Sequence, residues 1–90
     1  MTERSRWARR VASLLRAGTP LADALATGRD ETDSFELAGP LGVIAERVRQ
    51  GAPLGLAVSD MVEFFSEEEM RAIEEAERAG ELPRALDALS

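Results

Sequence analysis

The chain has 90 residues, a net charge of −6 and 31% charged side chains, so we expect a single domain over residues 1–90. It contains no cysteine, histidine or lysine, which excludes disulfides, thiolate and imidazole metal sites, and lysine-based catalysis. Nucleic acid is not expected as a partner of so acidic a chain. No stretch approaches the roughly 20 apolar residues of a membrane span, and we expect a cytosolic location.

The apolar composition favours helices over strands. Hydrophobic residues make up 44% of the chain, but these include only one Trp, three Phe and no Tyr. A core of Leu, Ala, Val, Ile and Met suits closely packed helices better than a β-sandwich, which is rich in aromatic and β-branched residues. We therefore predict an all-α fold.

The first helix is predicted from Glu3 to Ala17. Its apolar residues recur at the spacing of a core-facing stripe: Trp7, Val11, Leu14 and Leu15. Five arginines cover much of its remaining surface: Arg4, Arg6, Arg9, Arg10 and Arg16. This basic face could meet an acidic partner or an anionic membrane, or it could pack beside the acidic helix of the same domain. We favour packing beside the acidic helix of the same domain.

A glycine and a proline mark the first turn between helices. Gly18 is predicted to take the left-handed conformation that ends a helix, which costs glycine no steric clash. Thr19 is predicted to cap the second helix and Pro20 to take its first position. This short helix is expected to run to about Thr27 and to stop near Gly28.

An exposed loop is predicted from Gly28 to Ser34, where neither periodicity nor apolar residues are found. Asp30, Glu31 and Asp33 alternate in the manner of a calcium-binding loop. However, the glycine and the closing glutamate of an EF-hand are missing at the required offsets. We therefore interpret these acids as solvated loop residues.

The third helix is predicted from Pro40 to Gln50, and a lead-in turn from Phe35 is left open. Gly51 and Pro53 then repeat the turn signal of Gly18 after 33 residues. The fourth helix starts at Pro53, with an apolar stripe of Leu54, Ala57, Val58 and Met61. Solenoid repeats share this period, but two and a half copies do not establish a repeat architecture.

The fifth helix carries the clearest start signal in the chain. Ser66 followed by Glu69 predicts a capping box, and Phe65 and Met70 occupy the positions of a hydrophobic staple. The helix is predicted to end at about Ala79, before Gly80. Two stabilising pairs are expected on its surface, Glu67 with Arg71 and Glu74 with Arg78. A last helix from about Glu81 is expected to bury Leu82, Leu86 and Leu89.

Two pairs of glutamates are further candidates for metal chemistry. Glu63 with Glu67, and Glu74 with Glu77, place two carboxylates on one helix face. A dimetal site of the carboxylate type would also need histidine, and solvated acids are favoured over an oxygen-only calcium or magnesium site. The serines have no basic partner that could activate them. We predict no catalytic, cofactor-binding or metal-binding residue, and therefore no enzyme.

Three segments, in order, resemble one known family. Leu14–Leu25 is similar to the opening hairpin of the type II secretion system F domain. Val48–Leu54, with Ala57, resembles the family's second turn, and Phe64-Phe65 stand where the family commonly has Phe-Pro. Ala76–Leu82 resembles its closing Gly-Glu-x-Ser-Gly-x-Leu signature. The chain departs from the family at Ala76 and Ala79, which replace Gly and Ser, and in the irregular segment 28–39.

The resemblance implies a cytosolic domain of the inner-membrane platform protein of type II secretion or type IV pilus machines. The expected fold is an antiparallel bundle of five to six short helices arranged as helical hairpins. The expected role is a non-catalytic scaffold. Its expected partners are a second copy in a homodimer, the secretion or pilus ATPase, and other inner-membrane components.

Platform proteins contain two such domains and membrane-spanning helices. This chain is therefore expected to be either an isolated domain of a larger protein or a free-standing relative. The alternative function is a free-standing helical-repeat adaptor or regulator unrelated to secretion. A metal-dependent enzyme built on an acidic cluster is a third, remote hypothesis.

Overall fold

A computed structural model describes residues 2–90, and these form six α-helices with no strand among them. The helices are α1 Glu3–Arg16, α2 Leu21–Asp30, α3 Phe35–Arg49, α4 Leu54–Ala57, α5 Glu67–Ala79 and α6 Leu82–Ala88. Each helix packs against the next one along the chain, and α6 also packs against α1. The predicted all-α bundle is confirmed, and its six helices form a closed ring.

Every helix contributes to one central core. Fully buried aliphatic side chains come from all six helices: Val11, Leu25, Ile44, Leu54, Ile73 and Leu86. Trp7 and Phe65 join them in an edge-to-face pair whose ring centroids are 6.0 Å apart. Burial of each large side chain contributes about 1.5–3 kcal/mol, so the core holds the short helices together.

The two ends of the described chain lie side by side. The Ser5 hydroxyl donates to the Leu89 carbonyl at 3.4 Å, and an Arg4 guanidinium nitrogen lies 3.5 Å from the same oxygen. The contact between α1 and α6 therefore closes the ring where the chain enters and leaves the bundle.

Three glycines end helices in the same way. Gly18, Gly51 and Gly80 have φ angles of +93°, +108° and +73°, and no other described residue has a positive φ. At the first of them, the Gly18 N–H donates to Leu15 and the Thr19 N–H donates to Leu14. These two bonds define a Schellman motif, and equivalent bonds form at the other two glycines. The predicted left-handed caps are confirmed.

The predicted bounds of α1 and α5 are close to those observed. Thr2 caps α1, which ends one residue before the predicted end. Ser66 and Glu69 form the predicted capping box of α5, and this helix ends at Ala79 before Gly80. The surface pair Glu74–Arg78 is present at 3.4 Å. The predicted pair Glu67–Arg71 is not found among the salt bridges of residues 2–90.

The second helix is longer than predicted. It runs to Asp30, and Gly28 is buried inside it rather than ending it. A Cβ atom at Gly28 would lie 2.8 Å from Cδ1 of Trp7, so this glycine permits close packing of α2 on α1. The predicted Thr19 cap is also wrong, because Pro20 is the N-cap and no side chain caps α2.

The third helix begins five residues earlier than predicted, at Phe35. Ser34 caps it by accepting the N–H of Leu37 at 3.2 Å. Pro40 lies in its second turn and cannot donate to the carbonyl of Glu36, so one helical hydrogen bond is missing there. The segment 28–39 is therefore mostly helical, and the irregular stretch expected there is reduced to residues 31–34.

The fourth helix is a single turn. It ends at Ala57, although the apolar stripe had predicted a helix as far as Met61. The following residues, up to Phe65, form successive turns before α5 begins. Leu54, Ala57 and Val58 are fully buried as expected.

Candidate interaction surfaces

The basic face of α1 is largely occupied within the molecule. Arg4 makes two hydrogen bonds to the Glu69 carboxylate, at 2.7 and 2.8 Å, and a third to the Phe64 carbonyl. Its guanidinium lies 5.7 Å from the centre of the Phe65 ring. The hydrogen bonds from Arg4 are the main reason that the pKa of Glu69 lies below its ordinary value.

Three more arginines of this face have acidic partners. Arg16 pairs with Asp87 of α6, Arg10 pairs with Glu31 after α2, and Arg6 pairs with Glu3 in its own helix. Only Arg9 of the five makes no salt bridge within residues 2–90. The explanation that this face packs beside the acidic helix of its own domain holds for Arg4, which pairs with Glu69 of α5, whereas α1 packs mainly on α6 and α2.

Two charged side chains hold the short helix α4 at its ends. The Glu77 carboxylate of α5 accepts the N–H groups of Leu54 and Gly55, at 2.5 and 3.0 Å. Arg47 of α3 donates to the Ala57 carbonyl at 3.0 Å and pairs with Asp60. One turn of helix leaves most of its backbone groups without internal partners, and these side chains supply them.

The candidate metal pairs differ from the prediction or have other roles. Glu63 lies in the turns before α5, so it does not share a helix face with Glu67. Glu77 binds the backbone of α4, and Glu74 pairs with Arg78. Within residues 2–90, no three acidic side chains converge in a way that would hold a metal ion. None of the described helices meets the length and hydropathy of a membrane-spanning segment.

A shallow groove lies between α5 and α6, with a volume of about 380 Å³. Small side chains line it, with charged residues at its rim: Ala72, Ala76, Ala79, Ala85, Ala88, Glu75, Glu81 and Arg84. Alanine side chains leave room for another helix to approach closely. The alanines were not singled out in the sequence, because small residues carry little signal when their tertiary neighbours are unknown.

Four apolar side chains are exposed elsewhere on the surface. Phe35 is 96% exposed, and Val62 and Leu56 are 75% and 63% exposed. Val43 lies two turns after Phe35 on α3 and is also exposed. Single exposed apolar residues are common on protein surfaces, so these four side chains do not by themselves indicate a binding site.

The described residues thus form a closed bundle with an open groove between α5 and α6. The model of the family described as Type II secretion system (T2SS), protein F, matches residues 7–90. A search of curated proteins gives no match to the chain. The family match covers all six helices except the first turn of α1.

Proposed function

This chain belongs to the Type II secretion system protein F family, and we propose that it is a non-catalytic scaffold domain that docks other components of a secretion platform. The observation that carries the proposal is the family match over residues 7–90. The fold is consistent with this role, because several charged side chains join neighbouring elements or hold helix ends instead of forming a catalytic cluster. Residues 1–90 then act as one domain.

We propose that the partners are the assembly ATPase of a secretion or type IV pilus machine and its inner-membrane platform components. The domain then works on the cytoplasmic side of the inner membrane, as part of a larger membrane protein or bound to one. A second copy of the chain is a further partner, in a homodimer.

A pull-down tests the docking proposal. The chain is immobilised and offered the purified secretion and pilus ATPases of its host, one at a time, with an unrelated helical domain of similar charge as the control. We expect one of the ATPases to be retained. If neither is retained, the docking proposal fails and the adaptor alternative takes its place.

Light scattering tests self-association separately. We expect the average mass to rise from 9.8 kDa toward twice that value as the concentration increases. A constant monomer mass at every concentration would remove the homodimer from the proposal and leave the pull-down result untouched.

A further inference from the structure

The exposed side of α5 carries alternating charges at helical spacing. Glu68, Arg71, Glu75 and Arg78 follow one another at intervals of three, four and three residues, and all four are exposed. These intervals keep the four side chains on one face of a helix. Ala72 and Ala79 lie on the same face and also line the groove beside α6.

The charges of this face are not used within the molecule. Among residues 2–90, Glu68, Arg71 and Glu75 make no salt bridge, and Arg78 has only a 3.4 Å contact with Glu74 in its own helix. Nine of the eleven arginines have an acidic partner in the described chain, and Arg71 is one of the two exceptions. Arg71 is therefore available to bind an acid from outside the chain.

The order of the charges is complementary to itself. Along α5 the signs run negative, positive, negative, positive, and the reversed helix has the opposite sign at each level. Two antiparallel copies of α5 centred on Ile73 place Glu68 level with Arg78 of the partner subunit. They also place Arg71 level with Glu75 of the partner subunit. A two-fold interface needs a surface that matches its own copy, and this face has that property.

We propose that a second copy of this chain packs on the α5 face, which is the exposed side that carries Glu68, Arg71, Glu75 and Arg78. The two helices are antiparallel, and the two-fold axis crosses them at the level of Ile73. The inference rests on the self-association included in the proposed function and assigns it to one surface. Ala72 and Ala79 let the two helices approach closely, and the groove beside α6 widens the contact. Two kinds of opposite-charge pair cross the interface, and each occurs twice by symmetry. These four pairs fix the relative direction of the helices.

Charge reversals test the surface. In Arg71→Glu, residues 71 and 75 are both acidic, so two identical chains repel each other at both central levels. In Glu75→Arg, both are basic, with the same result. We expect each variant to raise the dimer dissociation constant at least tenfold, as measured by sedimentation equilibrium or light scattering.

Mixing the two variants gives the decisive measurement. Positions 71 and 75 are both acidic in the Arg71→Glu chain and both basic in the Glu75→Arg chain, so each acid meets a base across the mixed interface. The equimolar mixture therefore forms a heterodimer although neither variant self-associates. The double variant Arg71→Glu/Glu75→Arg restores the homodimer. Recovery in both cases distinguishes a direct charge contact from a loss of folding.

Matched controls separate the local effect from net charge. Arg9→Glu changes the net charge by the same amount as Arg71→Glu, and Glu36→Arg matches Glu75→Arg; both sites are exposed and lie outside α5. We expect both control variants to dimerise as the parent does. A parent dimer that Arg71→Glu leaves intact overturns the α5 surface but not self-association. A monomeric parent overturns both, and ATPase docking is still judged by the pull-down.

A cysteine provides a second test that does not depend on charge. The chain contains no cysteine, and Ala72 lies next to the centre of the proposed contact. We expect Ala72→Cys to form a disulfide-linked dimer under mild oxidation, whereas Ser13→Cys on the exposed side of α1 dimerises without a disulfide and runs as a monomer on a non-reducing denaturing gel. Equal cross-linking at the two positions would contradict the proposed surface.

Discussion

The two turns that join α1 to α2 and α3 to α4 begin in the same way and end differently. Gly18 and Gly51 close the preceding helices in equivalent Schellman motifs, and a proline two residues later precedes the next helix in both. Yet α2 continues for ten residues, whereas α4 stops after four. The local residues are sufficient to end one helix and start another, but they do not set the length of the second.

Tertiary contacts account for the difference. The position of Arg47 in the second hairpin corresponds to Leu14 in the first, and that of Asp60 corresponds to Thr27. Arg47 binds the last carbonyl of α4 and holds Asp60 just beyond it, whereas the first hairpin has no such pair. In the second hairpin, α3–α4, the short helix α4 thus depends on charged side chains from α3 and α5. In the first hairpin, α1–α2, the helix α2 depends on close packing against α1.

The largest effect is expected where close packing controls the first hairpin. In Gly28→Val, the added Cβ would lie 2.8 Å from the Trp7 ring and 3.0 Å from Val11, both of which are buried. We expect a loss of about 3 kcal/mol in unfolding free energy, measured by urea denaturation. Trp7 is the only tryptophan, so its fluorescence reports the same contact. Gly39→Val, at an exposed glycine with no atom within 4 Å of the Cβ position, is the control, and an equal loss there would contradict the packing role.

A smaller effect is expected from the charged group that holds the second hairpin. Glu77→Ala removes the acceptor of the Leu54 and Gly55 N–H groups. We expect a loss of about 2 kcal/mol in unfolding free energy, because two backbone donors lose a charged partner. Hydrogen exchange should speed up most at these two amides. Glu74→Ala, at an exposed residue of α5 whose only ion-pair contact is within its own helix, is the matched control; if its loss were equal, the cap would not be the cause.

The left-handed glycines of the two turns, Gly18 and Gly51, should respond alike, which tests what the two turns share. Gly18→Val and Gly51→Val each place a β-branched residue at positive φ, and we expect each to cost at least about 1 kcal/mol in unfolding free energy. No neighbouring atom lies within 4 Å of either Cβ position, so the cost is conformational. Thermal melting checks this. A variant that melts like the parent would show that its glycine does not need the left-handed conformation.

The smallest expected effect is the loss of stability that protonation of Asp60, in the second hairpin, causes at acid pH. The hydrogen bonds from Arg47 are the main reason that the pKa of Asp60 is lowered in the folded state. Because the pKa of Asp60 is lower in the folded state, the ionised carboxylate stabilises the protein at pH values above the unfolded-state pKa of about 3.9. This stabilisation is lost as the pH falls through the folded-state pKa. A carboxyl NMR titration should show Asp60 with a midpoint below that of a free aspartate. Arg47→Leu, which copies Leu14, should return the midpoint toward about 3.9, and an unchanged midpoint would contradict the pairing.

The parts of the fold that were predictable from sequence are those set by neighbouring residues. Ser66 with Glu69 and the three left-handed glycines act through backbone groups a few positions away, so the ends they mark were predicted closely. Gly28 was misjudged because glycine both ends helices and permits close packing, and only the position of Trp7 decides between these roles. The start of α3 was placed too late because Pro40 was assigned to the first helical turn.

The surfaces were harder to predict than the helices. Arg71 was expected to pair with Glu67, and its lack of a partner within residues 2–90 is seen only once the helices are assembled. The role of Glu77 at α4 depends on contacts between residues 22 and 23 positions apart, which no local pattern indicates. The groove depends on alanines of two helices meeting. Each of these features is tertiary.

The closure of the ring between α1 and α6 has a mechanical consequence. Because the chain enters and leaves at the same place, a pull on both ends would load the contact of Ser5 and Arg4 with Leu89 before it stretched the bundle. The contact would open from one edge, and α1 would peel away from α6 while α2 to α5 kept their mutual contacts. Arg4 also joins α1 to Glu69, so this ion pair is among the first links to bear tension. The α1–α6 contact would therefore be the first part of the domain to bear such a pull.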